Sequence, residues 1–236
     1  MIDIITFKWK KSDGGYKLKN QLDYSSEHVN ILFNSIKRNT TIPFNFHCVT
    51  DDKRGLLSEI NYIPLWDKCR HLGGCYNRLY VFSYEMRKLI GKRLMIIDLD
   101  SVIVGNLDKI LSRQEDFIIN EYRVKNSSIK QIYNGGLVMM NAGARSQVWD
   151  EFNPDTSPQE LDPLRDQKLL QGSDQAWIQY KLGENESTFT TDEGVYDFKQ
   201  VRENLPDNAT MIFFPGREDP KLERENIQWI KDNWKL

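Results

Sequence analysis

The stretch RLMIIDLDSVIVGNLDKIL, residues 93–111, places two aspartates inside an otherwise apolar run. Asp98 and Asp100 follow an apolar segment typical of a buried strand, and the apolar residues Val102 to Val104 come soon after them. An ionised carboxylate that is buried without a partner costs several kcal/mol. The two acids are therefore expected either at an exposed strand end or around a cation.

Composition limits the class of protein to which the chain belongs. A formal net charge of -2 gives no electrostatic basis for binding nucleic acid or an acidic membrane surface. The N-terminal stretch MIDIITFKWKK lacks the apolar core of a signal peptide, and no apolar run of about 18 residues predicts a transmembrane segment. Three cysteines without a CxxC pair favour neither a disulfide framework nor a zinc site. We expect one cytoplasmic domain without a nucleic-acid partner.

The order of the predicted elements indicates an α/β fold. Before residue 123, the sequence predicts strands at 2–7, 44–52, 60–65, 94–101 and 116–122, of which 94–101 is the central one. Helices are predicted between them at 24–40, 75–86 and 106–112. After residue 123, it predicts strands within 133–143 and 210–223, helices at 173–182 and 225–236, and an irregular segment at 153–172. Such alternation predicts a mainly parallel sheet with right-handed crossovers.

Acids at two strand ends predict a ligand site. Ligands of such sheets bind beyond the carboxyl ends of the strands, and Asp51 and Asp52 end the second strand as Asp98 and Asp100 end the central one. Mg²⁺ or Mn²⁺ would offset the cost of burying the second pair, because these ions bind carboxylates and keep positions open for phosphate oxygens. Two solvated loop acids remain the simpler alternative, since D-x-D often occurs by chance.

One enzyme class with such a pair is the haloacid-dehalogenase phosphatases. DLDSV, residues 98–102, fits their D-x-D-x-[TV] pattern, in which the first acid is a nucleophile and the second a general acid. Their motif normally opens the fold, whereas nearly 100 residues precede it here, and Lys168 with GSDQAWIQ is a poor match for their other elements. We keep the phosphatase as the second hypothesis.

Four stretches, in order, resemble glycosyltransferase family 8, which includes glycogenin and bacterial lipopolysaccharide galactosyltransferases. They are IIDLDSVIVGNLDKIL (96–111), YNGGLVMMNAG (133–143), GSDQAWIQYKL (172–182) and FFPGREDPK (213–221). The first resembles that family's strand, D-x-D, apolar run and short helix; the last resembles its H-F-x-G-x-x-K-P turn. The resemblance covers roughly residues 1–222, and four motifs in order are more specific than any one.

The resemblance implies a GT-A fold, a Rossmann-like mixed sheet flanked by helices, in a single domain over residues 1–236. Residues 1–105 would be the nucleotide-binding half, and residues 106–236 would bind the donor sugar and the acceptor. The implied reaction moves a hexose from a nucleotide diphosphate sugar, most often UDP-linked, to an unknown glycan, lipid or protein acceptor. Mn²⁺ or Mg²⁺ would assist. Acceptor contacts are expected from residues 123–132 and 153–172.

The resemblance also implies a set of site residues. The expected nucleoside contacts are Thr6, Lys8 and Asp51. Arg78 would contact the diphosphate or brace the first acid of the pair, Asp98 would contact ribose and metal, and Asp100 would bind metal. The donor sugar would face Asn134, Gly135 and Gly136, with Asp174 and Gln175 as catalytic residues beside the anomeric carbon. The turn after the last strand would bring Gly216, Arg217 and Lys221 to the diphosphate.

Simpler explanations exist for several of these residues. Lys8 and Arg78 could be ordinary surface cations, the glycine pair could serve a turn, and Asp174 could be an acid favoured at a helix start by the macrodipole.

Departures from the family pattern keep a third hypothesis open. Where family members have a histidine that completes the metal site, this chain has Phe213, and a related variant's histidine position is Pro215. The family's lysine is Asp219, and none of His28, His47 and His71 falls in this region. The third metal ligand would then be water, or the protein would bind nucleotide or sugar without turnover.

Overall fold

The computed structural model describes residues 1–10, 24–66, 72–122, 129–216 and 218–236, which form a central mixed sheet. Its strands, in spatial order, are β3 (Asn61–Pro64), β2 (Phe44–Thr50), β1 (Ile2–Lys8), β4 (Arg93–Ile97), β7 (Tyr133–Asn141), β6 (Phe117–Glu121) and β8 (Ser187–Phe189). The first four are parallel, and β7 runs antiparallel to both β4 and β6. Because β8 is parallel to β6, β7 is the strand that reverses. The predicted α/β class with a mainly parallel, mixed sheet is confirmed.

A smaller sheet lies beside the first and contains β5 (Ser101–Ile103), β10 (Met211–Phe213) and β9 (Val195–Asp197), in that order. The longer helices are α1 (Ser26–Arg38), α2 (Tyr84–Leu89), α7 (Asp174–Leu182) and α10 (Gln228–Asn233). Short helices are α3 (Asp108–Leu111), α4 (Gln147–Asp150), α5 (Ser157–Glu160), α6 (Asp162–Asp166), α8 (Phe198–Val201) and α9 (Pro220–Glu223), with 3₁₀ turns at Tyr76–Phe82 and Thr191–Glu193. No helix of the described residues is long and apolar enough to cross a membrane.

Alternation along β1 divides the core between the two faces of the large sheet. Ile5 and Phe7 face a cluster that includes Trp177 of α7, whereas Ile4 faces a cluster that includes Leu32 of α1. Since both faces are covered, the strands are nearly continuous apolar runs. A third cluster joins the small sheet to the C-terminal helix and contains Val102, Ile212, Ile230 and Trp234.

The structure corrects several predicted boundaries. The strand predicted at 94–101 ends at Ile97, and Ser101 begins β5 in the other sheet, so the two acids lie in the turn between sheets. The helix predicted at 75–86 is a 3₁₀ turn followed by α2, which is capped by the Ser83 hydroxyl accepting from Met86 N. The supposedly irregular segment 153–172 contains α5 and α6, and β8, β9 and α8 were not predicted.

The sheet topology brings the predicted acids to one edge. Parallel pairing of β2, β1 and β4 places the carboxyl ends of these strands together, as predicted for Asp51, Asp52, Asp98 and Asp100. Because β7 runs the other way, its first residues meet the same edge, and Asp98 N donates to Gly136 O at 2.9 Å.

Candidate functional site

A buried arginine joins two of the predicted site acids. Arg78, in the first 3₁₀ turn, donates through Nη1 to Asp98 Oδ1, and its Nη2 lies 2.6 Å from Asp174 Oδ2. The arginine and Asp174 side chains are buried, while 30% of the Asp98 side chain is exposed. Burial alone would lower the pKa of Arg78. The charges of Asp174 and Asp98 together have the larger effect, so this pKa lies well above its ordinary value. Arg78 therefore braces both acids and remains charged.

The two glycines of β7 make room for these carboxylates. A Cβ atom on Gly135 would lie 2.8 Å from Asp174 Oδ2, and one on Gly136 would lie 3.0 Å from Asp98 Oδ2. The neighbouring Asn134 turns its Oδ1 back to accept from Gly136 N at 2.7 Å. The glycine pair is thus required by a close approach of side chains, since its backbone φ angles are not positive.

Asp100 lies in the same turn with a different partner. Its Oδ2 accepts a hydrogen bond of 3.0 Å from the Tyr24 hydroxyl, and its backbone oxygen accepts from Phe214 N at 3.1 Å. Burial, followed by the charge of Asp98, raises the pKa of Asp100 to about 8. Within the described residues this acid has no arginine or lysine of its own.

The two acids of the turn fit a hard cation. Arg78 occupies one oxygen of Asp98 and Tyr24 one oxygen of Asp100, and the second oxygen of each accepts no hydrogen bond from the described residues. The described residues contain no group of three or more His, Cys, Asp and Glu able to hold a metal. Mg²⁺ commonly binds one or two carboxylates and completes its shell with water and substrate phosphates. The donor set therefore suits Mg²⁺ or Mn²⁺ without a third protein ligand.

A cleft opens onto these side chains, and we call it the donor cleft after the role that the sequence predicts for its residues. It is lined by Phe7, Trp9, Tyr24, Cys75, Arg78, Asp98, Leu99 and Asp100. Sequence reasoning missed Trp9 and Tyr24; an aromatic residue next to the end of β1 was the available signal for the first, and none existed for the second.

Several solved structures with this architecture are glycosyltransferases. The galactosyltransferase LgtC, in complex with donor and acceptor sugar analogs, matches 99% of this chain and 97% of its own with a TM-score of 0.60 and 12% identity. An active-site mutant of LgtC matches with a TM-score of 0.64, 12% identity and 98% and 93% coverage. The chain has the GT-A glycosyltransferase fold.

A third match to the GT-A fold is the glycosyltransferase GlyE from Streptococcus pneumoniae TIGR4, with a TM-score of 0.61 and 9% identity over 98% of this chain. This chain spans 63% of the length of GlyE. No protein-family model and no curated protein matches the sequence.

The residues predicted to touch the nucleoside, Thr6, Lys8 and Asp51, differ in their exposure and in their hydrogen bonds. Thr6 is completely buried, with a hydroxyl that has no partner among the described residues, so it presents no surface to a ligand. Lys8 is also buried and donates to Asp52 O at 2.6 Å. Asp51 is exposed and accepts from Lys10 N at 3.1 Å, so a nucleoside contact for Asp51 stays a prediction.

Of the remaining predicted residues, Gln175 and Lys221 bond through their side chains to described residues other than Arg78 and its two acids. Gln175 donates through Nε2 to Gln171 O at 3.1 Å, and Lys221 donates to Glu27 Oε2 at 2.7 Å. Gly216 is in the turn after β10 with a φ of 79°, a value that favours glycine. Arg217 lies outside the described residues. Their roles beside the anomeric carbon and the diphosphate stay predictions.

A further group of residues around Asn134, β6 and β9 lines a depression that we call the second cleft. It is lined by Asn120, Glu121, Tyr122, Asn134, Thr190, Thr191, Tyr196, Asp197, Gln200 and Phe213. Its described lining residues carry carboxylates, amides and hydroxyls, and none of them is lysine or arginine. These residues differ from the loops at 123–132 and 153–172 from which acceptor contacts were predicted, and 123–128 lie outside the described residues.

Proposed function

We propose that the protein is a metal-assisted glycosyltransferase that moves a hexose from a nucleotide diphosphate sugar, UDP-linked by the family resemblance, to an acceptor hydroxyl. The observation that carries this proposal is the arrangement of Asp98, Asp100 and Arg78 on one cleft at the carboxyl edge of a GT-A sheet, with the buried Asp174 paired to the same arginine. An ordinary surface acid pair would not require a buried arginine and two glycines to position it.

The side chains divide the work of binding and orientation. Asp98 and Asp100 would hold Mn²⁺ or Mg²⁺, which when bound neutralises charge on the departing diphosphate. Arg78 fixes Asp98 and Asp174 in one geometry, and such positioning lowers the entropic cost of reaction. Asp174, buried against Gly135, would orient hydroxyls of the donor sugar. Retention of anomeric configuration follows only by analogy with family 8.

We assign the acceptor to the second cleft. Asn134 lines this cleft and hydrogen-bonds Gly136, which lies beside Asp98, so the cleft is close to the acid pair along β7. Carboxylates, amides and tyrosine hydroxyls are groups that hydrogen-bond to a polyhydroxyl ligand. An acceptor without phosphate groups suits this lining, because it contains the carboxylates Glu121 and Asp197 and none of its described residues is lysine or arginine.

Calorimetry tests the donor assignment. UDP should bind in the presence of Mn²⁺, and Asp100→Ala should weaken this binding by roughly 100-fold, since it removes a direct ligand. Asp116→Ala is the matched control, because Asp116 is an exposed acid paired with Arg145 away from the cleft. Absence of UDP binding to the wild type with and without Mn²⁺ would exclude the proposal. A screen of nucleotide sugars for Mn²⁺-dependent hydrolysis then identifies the donor.

A binding protein without turnover is the second candidate. Phe213 and Pro215 stand where the resemblance expects a histidine, and no three-residue ligand group exists among the described residues. This candidate predicts Mn²⁺-dependent UDP binding with no hydrolysis of any nucleotide sugar. The phosphatase hypothesis has less support, because four strands precede the acid pair in a GT-A fold; turnover of an aryl phosphate that is lost in Asp98→Asn would restore it.

A further inference from the structure

We propose that Tyr24 is a positioning residue for the cation site and that its hydroxyl fixes the orientation of the Asp100 carboxylate. This inference rests on the proposed function, because it concerns the cation that the function requires. Tyr24 was not among the residues that the sequence indicated.

The hydrogen bond connects two distant parts of the chain. Tyr24 precedes α1, and its hydroxyl donates to Asp100 Oδ2, 76 residues away, at 3.0 Å. Both residues line the donor cleft. The second oxygen of Asp100 accepts no hydrogen bond from the described residues, so Tyr24 occupies one oxygen and leaves the other for a cation.

The Tyr24 ring has an aromatic contact that does not involve its hydroxyl. The ring lies edge-on to His28 with centroids 5.3 Å apart, and His28 lies 5.4 Å from Trp234 in the same manner. Both His28 and Trp234 are almost completely buried. His28 is itself fixed by Ser25 N, which donates to its Nδ1 at 3.2 Å. A phenylalanine would keep these ring contacts and lose only the hydroxyl.

The two acids of the site depend on different partners. Asp98 is held by the guanidinium of Arg78, whereas the Asp100 side chain is held by Tyr24 alone among the described residues. Residues that hydrogen-bond to a metal-ligating side chain and so orient it typically contribute 10–100-fold to metal affinity. A site with only two protein ligands should be sensitive to the orientation of each, and here Phe213 and Pro215 supply no third ligand.

Mn²⁺ titration of Tyr24→Phe tests the role, with Tyr133→Phe as the matched control. Tyr133 is a buried tyrosine whose hydroxyl accepts from Glu186 N at 2.8 Å, a contact outside the donor cleft. Calorimetry without nucleotide should show Mn²⁺ binding about 10-fold weaker in Tyr24→Phe and unchanged in Tyr133→Phe. In turnover, the apparent KM for Mn²⁺ should rise while kcat at saturating Mn²⁺ stays within about 2-fold, because the chemistry of the loaded site is retained.

The outcomes separate the inference from the proposed function. Equal loss of thermal stability in both variants with wild-type Mn²⁺ affinity would reduce Tyr24 to a structural residue. Tighter Mn²⁺ binding in Tyr24→Phe would mean that the hydroxyl competes with the cation, and it would also overturn the inference. A wild-type protein that binds no Mn²⁺ at all would remove both the inference and the metal of the proposed function.

Discussion

Asp3 and Asp100 lie at opposite ends of neighbouring parallel strands, and their carboxylates differ in how many hydrogen bonds they accept. Asp3, near the start of β1, is bonded to three groups: Asn45 Nδ2 at 3.1 Å, His47 Nε2 at 2.8 Å and Gly91 N at 2.9 Å. Among the residues that the structure describes, the Asp100 side chain has one such partner, Tyr24. A buried carboxylate with all its hydrogen-bond partners stabilises the fold. A buried carboxylate that lacks such partners has a raised pKa or requires a ligand.

The two ends should therefore respond to different perturbations. Changes at the amino end of the sheet should alter the free energy of unfolding and leave ligand binding intact. Changes at the carboxyl end should alter cation binding and the pH dependence of stability. Changes at both ends of the sheet follow, from the largest expected effect to the smallest.

Removal of the Arg78 charge should have the largest effect. Arg78→Met leaves two acids, Asp98 and the buried Asp174, without their counter-charge, and breaking a buried pair in this way costs about 3–5 kcal/mol of unfolding free energy. Arg54→Met should cost far less, because 90% of the Arg54 side chain is exposed and its partner Asp52 is exposed as well. Urea denaturation measures both. Equal losses would show that Arg78 is not the electrostatic support of the site.

Loss of the Asp3 carboxylate should come next. Asp3→Ala leaves the three donors around it unsatisfied, and we expect a loss of about 2–3 kcal/mol in unfolding free energy. Mn²⁺ affinity should remain that of the wild type, since Asp3 lies at the far end of β1 from the site. A large loss of Mn²⁺ affinity in this variant would contradict the division between the two ends.

The sequence predicts the part of the site that depends on local pattern. Apolar flanks locate Asp98 and Asp100 at a strand end, and alternating elements place Asp51 on the same edge. The Asn-Gly-Gly at the start of β7 is also visible, although its reason, the approach of Asp98 and Asp174 to Gly136 and Gly135, is tertiary.

The sequence does not predict the partners that the fold supplies. The Tyr24–Asp100 bond joins residues 76 positions apart and has no local signal. Ser173 stands where a side-chain cap of α7 is common, but its hydroxyl makes no cap bond and instead accepts from Cys75 N at 2.7 Å. Strands β8 and β9 have three residues each, too few for a periodic pattern to appear.

The pH dependence of stability should reveal Asp100 directly. Its pKa is raised to about 8 in the folded protein, against about 3.9 in the unfolded chain, so the folded state binds one more proton between these values. Stability of the cation-free protein should therefore fall as pH rises from about 4 to 8, by an amount on the order of 2 kcal/mol once solvent screening is allowed for. Asp100→Asn should remove this contribution.

Denaturation in EDTA at pH 5 and pH 8 measures this effect as the difference between wild type and Asp100→Asn, which cancels the titration of other groups. Mn²⁺ should stabilise the wild type more at pH 8 than at pH 5, because Asp100 must lose its proton to bind the ion. Parallel pH profiles of wild type and Asp100→Asn without metal would show that Asp100 titrates normally, and the contrast with Asp3 would then fail.

The smallest effects should come from Gly136 and Gly91, which leave space for the Asp98 and Asp3 carboxylates at opposite ends of the sheet. A Cβ on Gly136 would lie 3.0 Å from Asp98 Oδ2, and one on Gly91 would lie 2.6 Å from Asp3 Oδ2. The Cβ on Gly136 would also lie 2.9 Å from Asn134 Oδ1, so Asn134 and Asp98 must both shift there, whereas only Asp3 must shift at Gly91. Alanine should cost about 1 kcal/mol at each position. For Gly136→Ala most of this loss should appear as Mn²⁺ binding weaker by about 5-fold, because the shifted group is a cation ligand. For Gly91→Ala it should appear only in the unfolding free energy. Calorimetry and urea denaturation on both variants separate the two, and a Gly91→Ala protein with weakened Mn²⁺ binding would show that the ends of the sheet are coupled.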